Sequence, residues 1–142
     1  HPRRSLRRRL PLLQDRKAAI AVPVVGPAAP FRVYESLLDA WQRHDAAAIA
    51  AHFAPEGRFR APGHAASFQG AAIAAHAQAL FDALRGFHLE VTQVDAVGDC
   101  VVDQWVASGC WSAAFRSGPL AGLAPTGRAF ALQGIGVIEV EG

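Results

Sequence analysis

Apolar positions fall on a helical stripe from the first regular stretch of the chain. Val33, Leu37, Leu38 and Trp41 share that stripe and predict an amphipathic helix over Phe31–Arg43. His44-Asp45 interrupts it, and Asp45 is a suitable N-cap for a short second helix through Ile49 to Phe53. Pro55-Glu56-Gly57 reads as a turn, Arg58–Ala61 as a short strand ended by Pro62-Gly63. A third helix is predicted to open at Gly70, with Ile73, His76, Leu80 and Leu84 along one face and Gly86 as its C-cap. The period then changes to two. Phe87, Leu89 and Val91 alternate with polar neighbours, and Val97-Gly98-Asp99 turns the chain. In the next strand Val101, Asp103, Trp105, Ala107, Gly109 and Trp111 share a face. A loop from Arg116 to Pro125 leads through Pro125-Thr126-Gly127-Arg128 into a last strand, Ala129–Val140. Helices first and an antiparallel meander after them predict an α+β domain, three helices packed on a curved sheet.

Charge divides the chain in two. Residues 1–30 carry six Arg and one Lys against Asp15, a balance of +6, and five of the nine prolines. Residues 31–142 carry seven Arg against eleven acids, a balance of −4. The first part is therefore read as a mostly disordered basic tail, the second as one folded domain. A solvated extension, a nucleic-acid arm, a transit peptide and an export signal all remain open for the tail. For the domain itself nucleic acid is not an expected partner. No run reaches the roughly 20 apolar residues of a membrane span, so no membrane partner is expected and the expected location is the cytoplasm. Cys100 and Cys110 read as two free, packed thiols, with no second Cys/His pair at ligand spacing. Neither a metal nor another cofactor is expected.

Trp41-Gln42-Arg43-His44-Asp45, Ala54-Pro55-Glu56, Gly70, Gly98-Asp99-Cys100-Val101-Val102, Trp105 with Gly109, and Pro125-Thr126-Gly127-Arg128 follow one another along the chain. In that order they resemble the NTF2-like α+β barrels, and within them the SnoaL-like polyketide (ester) cyclases. The resemblance covers residues 31–142. It implies a cone-shaped barrel with a pocket for a small hydrophobic molecule, and a homodimer formed through the outer face of the sheet. It also implies ring closure by aldol condensation, or a related isomerisation or dehydration, using acid–base chemistry without a metal. The family's His belongs in the segment that is Gly109-Cys110-Trp111 here, and its Asp on the strand after Arg128, where no carboxylate precedes Ile138. That acid–base pair is not carried over. Relatives also turn through Asp-Gly-Lys into a final edge strand where this chain reads Val140-Glu141-Gly142, so the domain is expected to lack its last strand.

Other residues then become the candidates. Asp103, beside Trp105 and Trp111, is either a base whose pKa is raised by aromatic walls or a solvated or Arg-paired carboxylate. His76 is either a proton shuttle or a hydrogen-bonded core imidazole. Tyr34 either polarises a carbonyl, as the resemblance to steroid isomerases and dehydratases of this fold implies, or simply packs. Trp41, Phe59, Trp105, Trp111 and Phe130 form an aromatic slot or an aromatic core, and Gln133 supplies a hydrogen-bond donor. His44 and His64 are expected to be exposed. The functional expectation is an acid–base enzyme acting on a hydrophobic carbonyl compound, with Asp103 and His76 as its acid–base pair. Its alternative is a non-catalytic NTF2-like module for ligand binding or dimerisation.

Overall fold

A computed structural model of the chain describes residues 28–141. The basic stretch before them, with every reading of it, lies outside the described residues. Helix α1 spans Ala28–Gln42, so it opens before Phe31, with Pro30 in a first turn where a missing N–H costs nothing. Helix α2 spans Ala46–Ala51, and Asp45 caps it as expected, its carboxylate accepting from the Ala48 N–H at 2.9 Å. Strand β1 is only Arg58–Phe59, and it pairs antiparallel with a strand the sequence did not predict, β2, Phe68–Gln69. Helix α3 spans Ala71–Ala83 behind Gly70. Strands β3 (Leu84–Val97), β4 (Cys100–Trp111) and β5 (Ala129–Glu139) follow, in the order β3–β4–β5. This sheet is open, not closed on itself, among the described residues.

One junction differs from expectation. Gly86 is not the C-cap of α3: the helix ends at Ala83, its cap Leu84 is already extended, and Gly86 lies within β3 with φ +67°. A glycine three residues beyond a helix end resembles a cap in sequence, and the chain uses this one inside the strand instead.

The fold divides into two compact units. Among the described residues, the first takes 28–36 with Leu89–Ala107 and 132–141; the second takes Leu37–His88 with Ser108–Ala131. The core of the first is built from Phe31 and Tyr34 of α1 with Val91, Val94 and Val101 of the β3–β4 hairpin. The core of the second gathers Ile49, Ile73 and Ala77 from α2 and α3, with Leu37, Ala40 and Phe87.

The register of β4 against β5 is set at both ends. Near one end the Val140 N–H donates to Asp99 O at 2.8 Å. At the other, the Trp111 N–H donates to Arg128 O at 3.1 Å, while Trp111 O accepts from the Gly127 N–H at 2.8 Å. Two residues of one strand thus face one of the other, with Gly127 at φ +68°. This is a G1 bulge, whose first position needs the left-handed backbone that glycine adopts without strain. The Pro125-Thr126-Gly127-Arg128 signal is therefore the entry bulge of β5, braced by a bond from the Arg128 N–H to Thr126 Oγ1 at 3.2 Å.

Candidate functional site

Counting from those bonds places Asp103 opposite Gly136 and Trp105 opposite Gly134. Directly opposed residues point to the same side of an antiparallel pair. The two glycines are what lets this row pack. A Cβ on Gly136 would collide with Asp103 Oδ1, and a Cβ on Gly134 would collide with the Trp105 indole. Both side chains lean across onto the β5 backbone.

Asp103 is 7% exposed, the one buried charged residue among those described. The Tyr34 hydroxyl, from α1 and itself only 2% exposed, donates to Asp103 Oδ2 at 2.7 Å. Asp103 Oδ1 is shielded from solvent and has no hydrogen-bond partner. Burial pushes the Asp103 carboxyl above its ordinary value. The Tyr34 hydroxyl opposes that rise, as do the nearby backbone N–H groups of Gly136 and of Asp103 itself, neither of which forms a well-made bond to Oδ1. Tyr34 is pushed up as well, by burial first and then by the neighbouring carboxylate. Asp103 is thus neither solvated nor Arg-paired: its partner is a tyrosine hydroxyl. The arrangement can hold a proton on a carboxyl at higher pH than a surface aspartate would, with one oxygen fixed and the other uncommitted.

The second unit holds a separate cluster. His76, on α3, stacks on Phe68 with ring centroids 4.4 Å apart, meets His64 edge-on at 5.0 Å, and lies 5.6 Å from Phe59. Burial, with a smaller contribution from His64, pulls its pKa down to about 4, so the imidazole is neutral at neutral pH. His64 is not the exposed residue expected from its Gly/Pro loop. It is half-buried against Phe68 at 5.1 Å, because the β1–β2 pairing folds that loop back. Trp41 joins Phe59, Phe81 and Phe87 at 6.1, 5.8 and 6.4 Å. His44 is exposed, yet its ring stacks on Phe81 at 4.6 Å and its Nε2 bonds Phe87 O at 2.7 Å.

The structure therefore sorts the sequence candidates into groups. Tyr34 and Asp103 form one, with Trp105 next along the same face. Trp41, Phe59 and His76 form another. Phe130 packs beside Gly109, and Trp111 has its own setting, its indole N–H donating to Ala113 O at 2.9 Å and its ring 6.0 Å from Phe115. Gln133 has the wrong parity for Asp103: it is exposed on the opposite face of β5, with Ile135 and Val137. Gly134, Gly136, Phe68 and His64 were missed. A Gly-x-Gly run inside a β-strand was the available signal for the first two, since glycine there marks close approach. Among the described residues no three His, Cys, Asp or Glu side chains are grouped to hold a metal ion, and no helix is long and apolar enough to cross a membrane.

Helices preceding an open antiparallel sheet make this an α+β protein, and likeness to solved structures shows that its fold is NTF2-like. The chain belongs to the SnoaL-like domain family, whose model matches residues 34–142. No curated protein matches the sequence. Among solved structures, the chain is similar to TsrD from Streptomyces laurentii, at 21% identity over 83% of each chain with a TM-score of 0.65. It is similar to an NTF2-like protein from Burkholderia thailandensis, at 21% identity over 79% of this chain and 81% of that one, TM-score 0.60. A candidate polyketide cyclase from Xanthomonas campestris pv. campestris matches at 20% identity over 79% and 81%, TM-score 0.57. At such identities the likeness shows the fold.

Proposed function

We propose that this SnoaL-like protein binds a small hydrophobic carbonyl compound and moves a proton on it, in a cyclisation, isomerisation or dehydration. The observation that carries this reading is the Asp103 carboxyl, buried, with Oδ2 held by the Tyr34 hydroxyl and Oδ1 without a partner. A carboxyl whose proton affinity is raised by burial is a better general base than a solvated one, and in its protonated form a usable acid. It would stand in for the family's His and Asp, whose places Trp111 and the carboxylate-free stretch after Arg128 occupy. In this role Oδ1 takes the proton next to the carbonyl while Tyr34 steadies the other oxygen. His76, neutral at working pH, is the second candidate for proton transfer. Likeness to a candidate polyketide cyclase agrees with this class of chemistry. The protein would act in the cytoplasm as a homodimer through the sheet, where Ile135 and Val137 of β5 are 69% and 66% exposed.

A second reading, a non-catalytic ligand-binding or dimerisation module, is favoured by the shielding of both Tyr34 and Asp103, which suits a core hydrogen bond. The two separate in one experiment. Exchange of the α-protons of 2-tetralone for deuterium is followed by NMR with the protein and with Asp103→Asn. The enzyme reading expects acceleration by the protein and its loss in a variant with unchanged circular dichroism. Equal acceleration by the variant removes Asp103 from the chemistry. Binding of 2-naphthol with no exchange supports the module.

A further inference from the structure

The β1–β2 ribbon has two unlike faces. Phe59 and Phe68, paired across it, turn inward to Trp41, Phe53 and His76. The opposite face carries Arg58 and its partner Gln69; Arg60, just past the end of β1, is exposed between the inward Phe59 and the buried Ala61, so it continues the alternation on the Arg58 side. Arg58 and Arg60 are both exposed. Arg58 Nη1 reaches Ser67 Oγ at 3.5 Å, which draws its guanidinium toward the residue that precedes β2. The Gln69 side-chain amide is held by a bond to Pro55 O at 3.1 Å. Aromatic anchoring on one face thus makes a steady platform for donors on the other.

What is unusual is the missing acid. From residue 31 onward eleven carboxylates accompany seven arginines, and Arg43 takes two of those carboxylates for itself, Asp39 at 2.7 Å and Asp45 at 3.3 Å. Arg58 and Arg60 form no ion pair among the described residues, not even with Glu56 in the adjoining turn. Residues two apart on an extended chain have Cα atoms about 6–7 Å apart, so two arginines leaving the same face raise the local positive potential, which favours an anion there. Two guanidinium forks, with a hydroxyl beside them, present the planar N–H pairs that match phosphate oxygens.

We propose that the outer face of the β1–β2 ribbon is a binding site for the phosphate group of a small phosphate ester, with Arg58 and Arg60 as its two guanidinium contacts and Ser67 as a hydroxyl donor. The site is independent of the Tyr34–Asp103 reading and stands or falls separately from it. The test titrates inorganic phosphate, then phenyl phosphate, into the protein at low ionic strength and follows the arginine Nε–H signals by NMR. The Arg58 and Arg60 signals should shift saturably, with a dissociation constant of about a millimolar or tighter. Arg58→Gln and Arg60→Gln should each weaken binding at least about fivefold, the double variant should abolish it, and Arg43→Gln should leave it unchanged. All three exchanged residues are exposed, so folding is not at stake. Equal shifts of all arginines, or saturation persisting in the double variant, overturn the site. A short oligonucleotide that binds far more tightly, with a salt dependence exceeding two charges, overturns the small-ligand assignment.

Discussion

Replacing Tyr34 by Phe removes one oxygen atom and leaves the ring, so the change isolates the bond to Asp103 Oδ2. A hydrogen bond to a charged group contributes about 1.5–3 kcal/mol, against about 1 kcal/mol for a neutral one. Because Asp103 Oδ1 already lacks a partner, Tyr34→Phe leaves both oxygens of a buried carboxyl unsatisfied. The cost must therefore depend on the charge of Asp103. Its folded pKa lies above the unfolded value of 3.8, so its contribution favours folding below that value and is lost as pH rises through the folded pKa. Tyr34 opposes the upward shift. Without its hydroxyl the folded pKa rises further, and the destabilisation grows with pH. We expect Tyr34→Phe to cost about 1 kcal/mol near pH 4 and about 2–3 kcal/mol near pH 8. Urea unfolding followed by circular dichroism at the two pH values measures both. A loss below about 0.5 kcal/mol at each pH, or a larger loss in acid, refutes the view of Asp103 as a buried carboxylate held by Tyr34.

Gly136→Ala should destabilise by about 1–3 kcal/mol, because its methyl group would meet Asp103 Oδ1 inside a packed face; a thermal melt at or above that of the parent protein contradicts the register. His76 acts on the acid side: its folded pKa of about 4 lies below the unfolded 6.5, so stability present above pH 6.5 is lost as pH falls through that window. Full shielding would make the loss about 3 kcal/mol; solvent around the half-buried ring reduces it to about 1–2 kcal/mol. In His76→Phe that part of the acid loss should vanish, and an unchanged acid limb would show that the ring is well solvated.

Much of the fold was legible because its signals are local. The stripe of Leu37, Leu38 and Trp41, the Asp45 cap and the Gly98-Asp99 turn each act within a few residues, and the period-two pattern put Asp103 and Trp105 on one face. Gly86 shows where local reading stops, since a glycine just past a helix serves as a cap or as a left-handed point in a strand with the same neighbours. Strand β2 is too short to carry a period, and it forms because Phe68 finds Phe59 and His76. The heart of the candidate site was legible only in halves. Tyr34 and Asp103 were each singled out, yet they lie 69 residues apart, and no spacing rule connects a helix to a strand over that distance. The fit of Asp103 to Gly136 depends on register, and His64 is covered by a pairing only three dimensions reveal.

The Gly127 bulge reaches further than its place at the entrance to β5 suggests. Side chains alternate along a strand, so advancing β5 by a single residue would set Ile135 before the Asp103 carboxyl and send both glycines to the other face. By fixing the frame at Trp111, the bulge lets insertions and deletions in the connection before Thr126 leave the register of β5 unchanged. The same change one step later would rewrite every side chain on the strand. Length variation among relatives should therefore gather before Gly127, and the spacing from Gly127 to Gly136 should be held.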